Sequence, residues 1–205
     1  MGKKHYVHVP PNGANGPAGY FAVAWHALRN RSNRRDGQDW LDAARDRYSN
    51  DEIEAVRAAN GIFKVFAAVT VFWALFDQQG SSWTLQAKNL DLNVFGMQLE
   101  ASQIQAVNPI LVMLLIPLFS GVIYPAFERL GVAVTPLRKM AAGMVLCAFA
   151  FAMVGGIQVA IDGGAKPSVL WQMIPYLVIT CSEVMVSITG LEFAYTQAPK
   201  AMKSI

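Results

Sequence analysis

Residues 66–79 read Phe-Ala-Ala-Val-Thr-Val-Phe-Trp-Ala-Leu-Phe-Asp-Gln-Gln, an apolar run that ends on a carboxylate, Asp77, followed by two amides. If the run crosses a membrane, a carboxylate at its centre costs roughly 2.5–3.5 kcal/mol on insertion scales. Such a residue persists when it faces a partner, a polar cavity or a solute. A second carboxylate, Glu183, lies within another long apolar stretch. Together the two acids point to a protein that moves something polar across a bilayer.

Composition agrees. Of 205 residues, 54% are hydrophobic and 15% charged, which is richer in apolar and poorer in charged residues than soluble domains usually are. The charges are uneven. Residues 1–61 carry nine bases (Lys3, Lys4, Arg29, Arg31, Arg34, Arg35, Arg45, Arg47, Arg57) and seven acids (Asp36, Asp39, Asp42, Asp46, Asp51, Glu52, Glu54). The chain is therefore a polar segment, 1–61, joined to a membrane part, 62–205. A net charge of +3 argues against a nucleic acid partner. Cys147 and Cys181 sit in apolar stretches and read as small buried hydrophobes. His5 and His8 lack the further ligands a metal site needs. The first residues lack both the apolar core of a signal peptide and a myristoylation motif.

At about 20 residues per crossing, four spans are expected, at about 62–80, 104–127, 140–161 and 169–195. Pro109, Pro117 and Pro125 predict kinks in the second. The third is rich in small residues and reads as a packing helix. Bases concentrate in the N-terminal segment, in the 128–139 link (Arg129, Arg138, Lys139) and in the tail (Lys200, Lys203). The 81–103 and 162–168 loops carry only Lys88 and Lys166. The positive-inside rule then predicts a multi-pass protein with both ends in the cytoplasm. In the polar segment, Tyr20 to Leu28 is expected to form an amphipathic helix with Tyr20, Phe21, Ala24 and Leu28 on its membrane side. Short helices are expected at Asp39–Arg47 and Asp51–Ala59, the second opened by a Ser49…Glu52 capping box.

Trp73 and Asp77 are four residues apart and share a helical face, with Gln78 and Gln79 adjoining. They suit a polar solute with apolar side groups; an aromatic anchor beside an interfacial acid fits the spacing equally. Glu183 has 14 residues of its span before it and 12 after, which puts it near the midplane. There it must be protonated, paired or hydrated. Binding an ammonium group or carrying a proton is preferred over a plain interhelical hydrogen bond, because acids inside membranes are functional by default. Glu192 lies two and a half turns further on, on the opposite face, and suits a gating or structural contact. For Asn108 alone, an interhelical hydrogen bond is the preferred reading.

The same residues carry a family resemblance. Phe72-Trp-Ala-Leu-Phe-Asp-Gln-Gln-Gly-Ser-Ser-Trp-Thr-Leu-Gln86 resembles the seventh-helix motif of the proton-dependent oligopeptide transporter family (POT, or PTR) of the major facilitator superfamily. Gln105-Ala-Val-Asn-Pro-Ile110 with Tyr124-Pro125 resembles its eighth helix. Ser182-Glu-Val-Met-Val-Ser-Ile-Thr-Gly-Leu-Glu-Phe-Ala-Tyr-Thr-Gln-Ala-Pro199, with Met202-Lys-Ser204, resembles its tenth.

The resemblance implies an all-α membrane fold, with helices seven to ten forming part of the C-terminal bundle after a cytoplasmic interbundle linker. It implies that Trp73 and Asn108 line a pocket for di- and tripeptides, and that Glu183 pairs with the peptide amino terminus. Asp77, beside Gln78, would take part in proton coupling and gating. It implies no enzyme activity and no cofactor beyond the proton as coupling ion, in an inner (plasma) membrane. Some members place Arg where this chain has Ser82. Animal members pair an Arg with an Asp near the cytoplasmic gate, at positions that are Gly61 and Ser120 here, so this gate is expected to close differently. Family members have about twelve spans in two rocking bundles. The partners expected outside this chain are therefore the N-terminal bundle and the last two helices, and no transport is expected from the chain alone. The rival reading is a non-transporting membrane scaffold or a truncated gene product.

Overall fold

The computed structural model describes residues 18–33 and 37–197, so His5, His8, the 10–17 turn-rich stretch and the tail bases Lys200 and Lys203 lie outside the described residues. The described residues divide into two compact units, one up to Phe63 and the other residues 64–196.

The first unit has a small core of its own. Helix α1 (Tyr20–Arg29) and a 3₁₀ turn, Trp40–Ala44, pack with the first turns of α2 (Asn50–Phe76). Val23, Ala27, Leu41, Ala44, Ile53 and Val56 are buried together, with Tyr20, Ala24 and Trp40 against them. This divides the predicted membrane side of α1. Tyr20 and Ala24 face inward, whereas Phe21 and Leu28 stand exposed. The inward stripe follows i, i+3, i+4, i+7 spacing from Tyr20 through Val23 and Ala24 to Ala27, the positions a helix offers to one face.

Charges fix the edges of this core. Arg57 reaches Asp39 (3.3 Å), Asp42 (3.1 Å) and Glu54, while Arg45 reaches Asp42 (2.9 Å). Burial pushes the Asp42 carboxyl up, but Arg45 and the hydrogen bond from Arg57 outweigh it and hold the group below its ordinary value. The predicted capping box is present: Glu52 accepts from the Ser49 backbone N–H (2.9 Å) while the Ser49 hydroxyl accepts from the Glu52 N–H (3.4 Å). The short helix predicted at 51–59 and the first span are one continuous helix, α2. Gly61 does not break it, because a lone glycine costs only about 1 kcal/mol against alanine in a helix interior.

In the second unit, four helical stretches are long and apolar enough to cross a membrane: 50–87, 101–129, 136–162 and 170–197, the first beginning in the other unit. Their order is α2; α3 (Ser82–Ala87), after a 3₁₀ turn Asp77–Gly80; α4 (Val107–Leu118) and α5 (Tyr124–Arg129); α6 (Pro136–Asp162); and α7 (Leu170–Gln197). Helix α7 is the central member, with half of its most apolar window buried against 11% in each of the others.

The predicted disturbance in the second span takes a specific form. Pro117 and Pro125 cannot donate to the carbonyls four residues earlier, and a π turn at Phe119–Ile123 lies between them. The Ser120 hydroxyl donates to the Ile116 carbonyl at 2.8 Å. Residues 81–103, expected as a loop, contain α3 and a small hairpin, β1 (Asn93–Val94) with β2 (Met97–Gln98), paired Asn93 to Gln98 and Val94 to Met97. The turn puts Phe95 (φ 53°) and Gly96 (φ 83°) in the left-handed region, as a two-residue hairpin connection requires.

Amides lock α3 to the spans. Gln172, fully buried, donates to the Trp83 carbonyl (2.9 Å) and to Gln86 (3.2 Å). Gln86 in turn donates to the Val154 carbonyl (3.1 Å) and to Gln158 (3.0 Å). The Trp83 ring sits edge-on to both Phe151 and Tyr176. In an apolar interior each of these amides would be costly unpaired, so the network fixes one arrangement of α3, α6 and α7.

Candidate functional site

Glu183 and Asn108 meet. The Asn108 amide on α4 donates to the Glu183 carboxylate on α7 at 3.0 Å and to the Thr180 hydroxyl at 3.1 Å. Thr180 is fully buried, and its hydroxyl donates to the Tyr176 carbonyl at 2.7 Å. That bond commits the hydroxyl hydrogen, so Thr180 presents only a lone pair to Asn108. The amide must therefore turn its NH₂ group to Thr180 and Glu183, which leaves Asn108 Oδ1 as a free acceptor among the described residues. Sequence reasoning did not single out Thr180. Its signal was available: it lies three residues before Glu183, on the same helical face.

The register of α7 is set from behind by α6. The Ser182 hydroxyl donates to the Gly143 carbonyl, and at Gly143 the two helices approach closely: a Cβ there would lie 2.7 Å from Val186 Cγ2 and 3.1 Å from both Met185 Cβ and the Ser182 carbonyl. Small residues at such crossings let helix backbones come close.

The other predicted residues are placed differently. Trp73 is 38% exposed on α2 and packs edge-on against Phe72 and Phe76. Asp77 opens the 3₁₀ turn, is exposed, and makes no side-chain hydrogen bond or ion pair among the described residues. Gln78 serves that turn: it donates to the Ala74 carbonyl (3.4 Å) and accepts from Ser81 and Ser82, each at 3.2 Å. Gln79, unlike its neighbour, is buried, and its carbonyl accepts from the Tyr176 hydroxyl. Glu192 is exposed, apart from the Asn108–Glu183 pair, and lines a cavity of about 350 Å³ with Ser120, Tyr124, Lys139 and Thr189. Cys147 and Cys181 are free thiols.

A carboxylate and an amide acceptor side by side between two membrane helices have the chemistry to accept hydrogen bonds from a donor, above all a cationic one. The fold is that of a multi-pass helical membrane protein. Comparison with known proteins gives its family. The POT family profile (PTR2) matches residues 1–205. Human solute carrier family 15 member 2 is 38% identical over 199 residues, which is 94% of this chain and 27% of that protein. Peptide transporter 3 of Caenorhabditis elegans is 39% identical over 166 residues, 79% of this chain and 24% of that protein. Among solved structures, the POT family transporter PepTSo superposes with a TM-score of 0.82 at 37% identity, covering 99% of this chain and 48% of its own. The chain belongs to the POT family. It spans about a quarter of the length of these curated relatives and about half of that solved transporter.

Proposed function

We propose that this chain supplies half of the peptide pocket of a proton-coupled di- and tripeptide symporter, and that it does not transport by itself. The observation that carries the reading is the Asn108–Glu183 pair, held by Thr180 between α4 and α7. Glu183 would take the peptide's ammonium group and Asn108 Oδ1 an amide N–H. Two acceptors placed together select a ligand with two donors at one end. Trp73 would form an apolar wall of the pocket. Asp77, with no partner among the described residues, would carry a proton or meet a gating residue outside this chain, with Gln78 shaping its turn; Glu192 would act in gating at the other end. The orientation that agrees with the placement of bases has both termini in the cytoplasm of a cell whose inner (plasma) membrane holds the protein. The rest of the pocket would come from an N-terminal bundle and two further helices.

The test is a chimera in which residues 64–196 replace the matching segment of PepTSo, reconstituted in vesicles. An inward proton gradient is expected to drive uptake of a labelled dipeptide by the chimera, and not by the 205-residue chain alone. A chimera that folds but takes up no more than empty vesicles would overturn the pocket assignment. Uptake by the chain alone would overturn the claim that it needs partners.

Thr180 offers a finer check. Thr180→Val removes the acceptor that fixes the Asn108 amide. A hydrogen bond of about 0.5–1.5 kcal/mol net corresponds to about twofold to tenfold weaker apparent peptide affinity. Thr180→Ser keeps the hydroxyl and should restore most of it. Equal losses in the two variants would instead assign Thr180 a packing role.

A further inference from the structure

Between α5, α6 and the 130–135 link lies an open groove of about 670 Å³, floored by Met185 and walled by Phe127, Val132, Ala142 and Val145. It is almost wholly apolar except at one end, where Arg138 and Lys139 stand next to each other in its lining. Both cations are held in place. Arg138 Nη1 donates to the Ala133 carbonyl at 3.1 Å, which leaves the other guanidinium N–H groups unspent among the described residues. Lys139 Nζ sits 4.4 Å above the Tyr124 ring, a cation–π contact that fixes the ammonium beside the groove. The groove thus has the two chemistries of one amphiphile, an apolar trough along the span and two fixed positive groups where the helix meets water.

We propose that this groove is a binding site for an anionic phospholipid, whose phosphate headgroup lies between Arg138 and Lys139 and whose acyl chain fills the trough. Charge argues for this occupant. Basic pockets between membrane helices on the cytoplasmic side hold anionic headgroups, and the proposed orientation puts this end there. The neighbouring outward face of α6 agrees: Val145, Phe149 and Val159 are exposed large apolar residues, as suits contact with acyl chains. The site uses neither Glu183 nor Asn108, so it stands or falls apart from the peptide pocket. Only its placement on the cytoplasmic side rests on that reading's orientation.

The test is native mass spectrometry of the full 205-residue chain released from detergent with dioleoyl-phosphatidylglycerol or dioleoyl-phosphatidylcholine. The phosphatidylglycerol adduct is expected to exceed the phosphatidylcholine adduct at least fivefold. Arg138→Gln with Lys139→Gln should bring the two to the same level, whereas Arg129→Gln, a base outside the groove lining, should leave the selectivity intact. Ala142→Trp, which fills the trough without altering charge, should reduce both adducts. Three results would overturn the proposal: equal retention of the two lipids by the parent chain, selectivity that survives the double neutralisation, or adducts untouched by Ala142→Trp. Retention of neither lipid counts against it too, and is the outcome expected if the groove is the seat of another protein helix.

Discussion

Glu183→Gln is expected to lower proton-driven dipeptide uptake by the chimera about tenfold to a hundredfold, the loss that follows from a charged hydrogen bond of about 1.5–3 kcal/mol. The substitution isolates the charge. Glutamine has the same length, and its Oε1 still accepts from Asn108 Nδ2, which in the present structure approaches Glu183 at 3.0 Å. Helix α7 therefore keeps its contact with α4, and what disappears is the negative charge that, in the proposed pocket, would hold an ammonium group, and the carboxyl that would take a proton. The measurement is initial uptake rate against peptide concentration at two external pH values, with protein folding checked by monodisperse elution. The affinity loss should be larger for a peptide with a free amino terminus than for one whose terminus is acetylated. Uptake within twofold of the parent would remove Glu183 from the site.

Gly143→Ala is expected to destabilise the second unit by about 1–3 kcal/mol, the range for forcing an extra carbon into a packed interior. The added Cβ would meet Val186 Cγ2 at 2.7 Å and the Ser182 backbone carbonyl at 3.1 Å, and the backbone cannot rotate away. Helix α7 must then shift, taking with it the Ser182 hydroxyl bond to the Gly143 carbonyl and the adjacent Glu183. Gly155→Ala on the same helix is the control. Its Cβ meets nothing within 4 Å, so the melting temperature in detergent should hold or rise slightly. Equal effects at the two positions would mean that α6 and α7 do not pack at Gly143.

Much of this was legible in the residues. Four spans follow from long apolar runs, because a helix in lipid must hide every backbone polar group and show side chains the lipid accepts. That rule acts on local sequence. That Glu183 needs a partner was legible for the same reason, and the structure gives it the Asn108 amide. The capping box at Ser49 and Glu52 is likewise a local chemical pattern, and the structure contains it.

Other features depended on what each residue meets. Asn108, read alone, favoured a simple interhelical bond; the structure gives it that bond with Glu183, and through Thr180 also fixes the orientation of its amide. Hydropathy could not divide the aromatic residues of α1: it would bury Phe21 before Tyr20, yet Tyr20 packs against the core of Leu41, Ile53 and Val56 and its hydroxyl donates to Asn60 at 2.6 Å. Gln172, near the start of α7, finds its partners in Trp83 and Gln86, 89 and 86 residues away.

The order of residues was enough to read a membrane chain of four spans, an acid, Glu183, well inside the last of them, and the family its motifs resemble. Those properties follow from side-chain hydropathy and from order along the chain. It took the packed helices to bring Asn108 against Glu183, to aim its amide with Thr180, and to bring α6 and α7 together at Gly143. Hydrogen bonds across 72 and 75 residues of chain, and a helix crossing too tight for a single Cβ, depend on distances in space that the order of residues does not state.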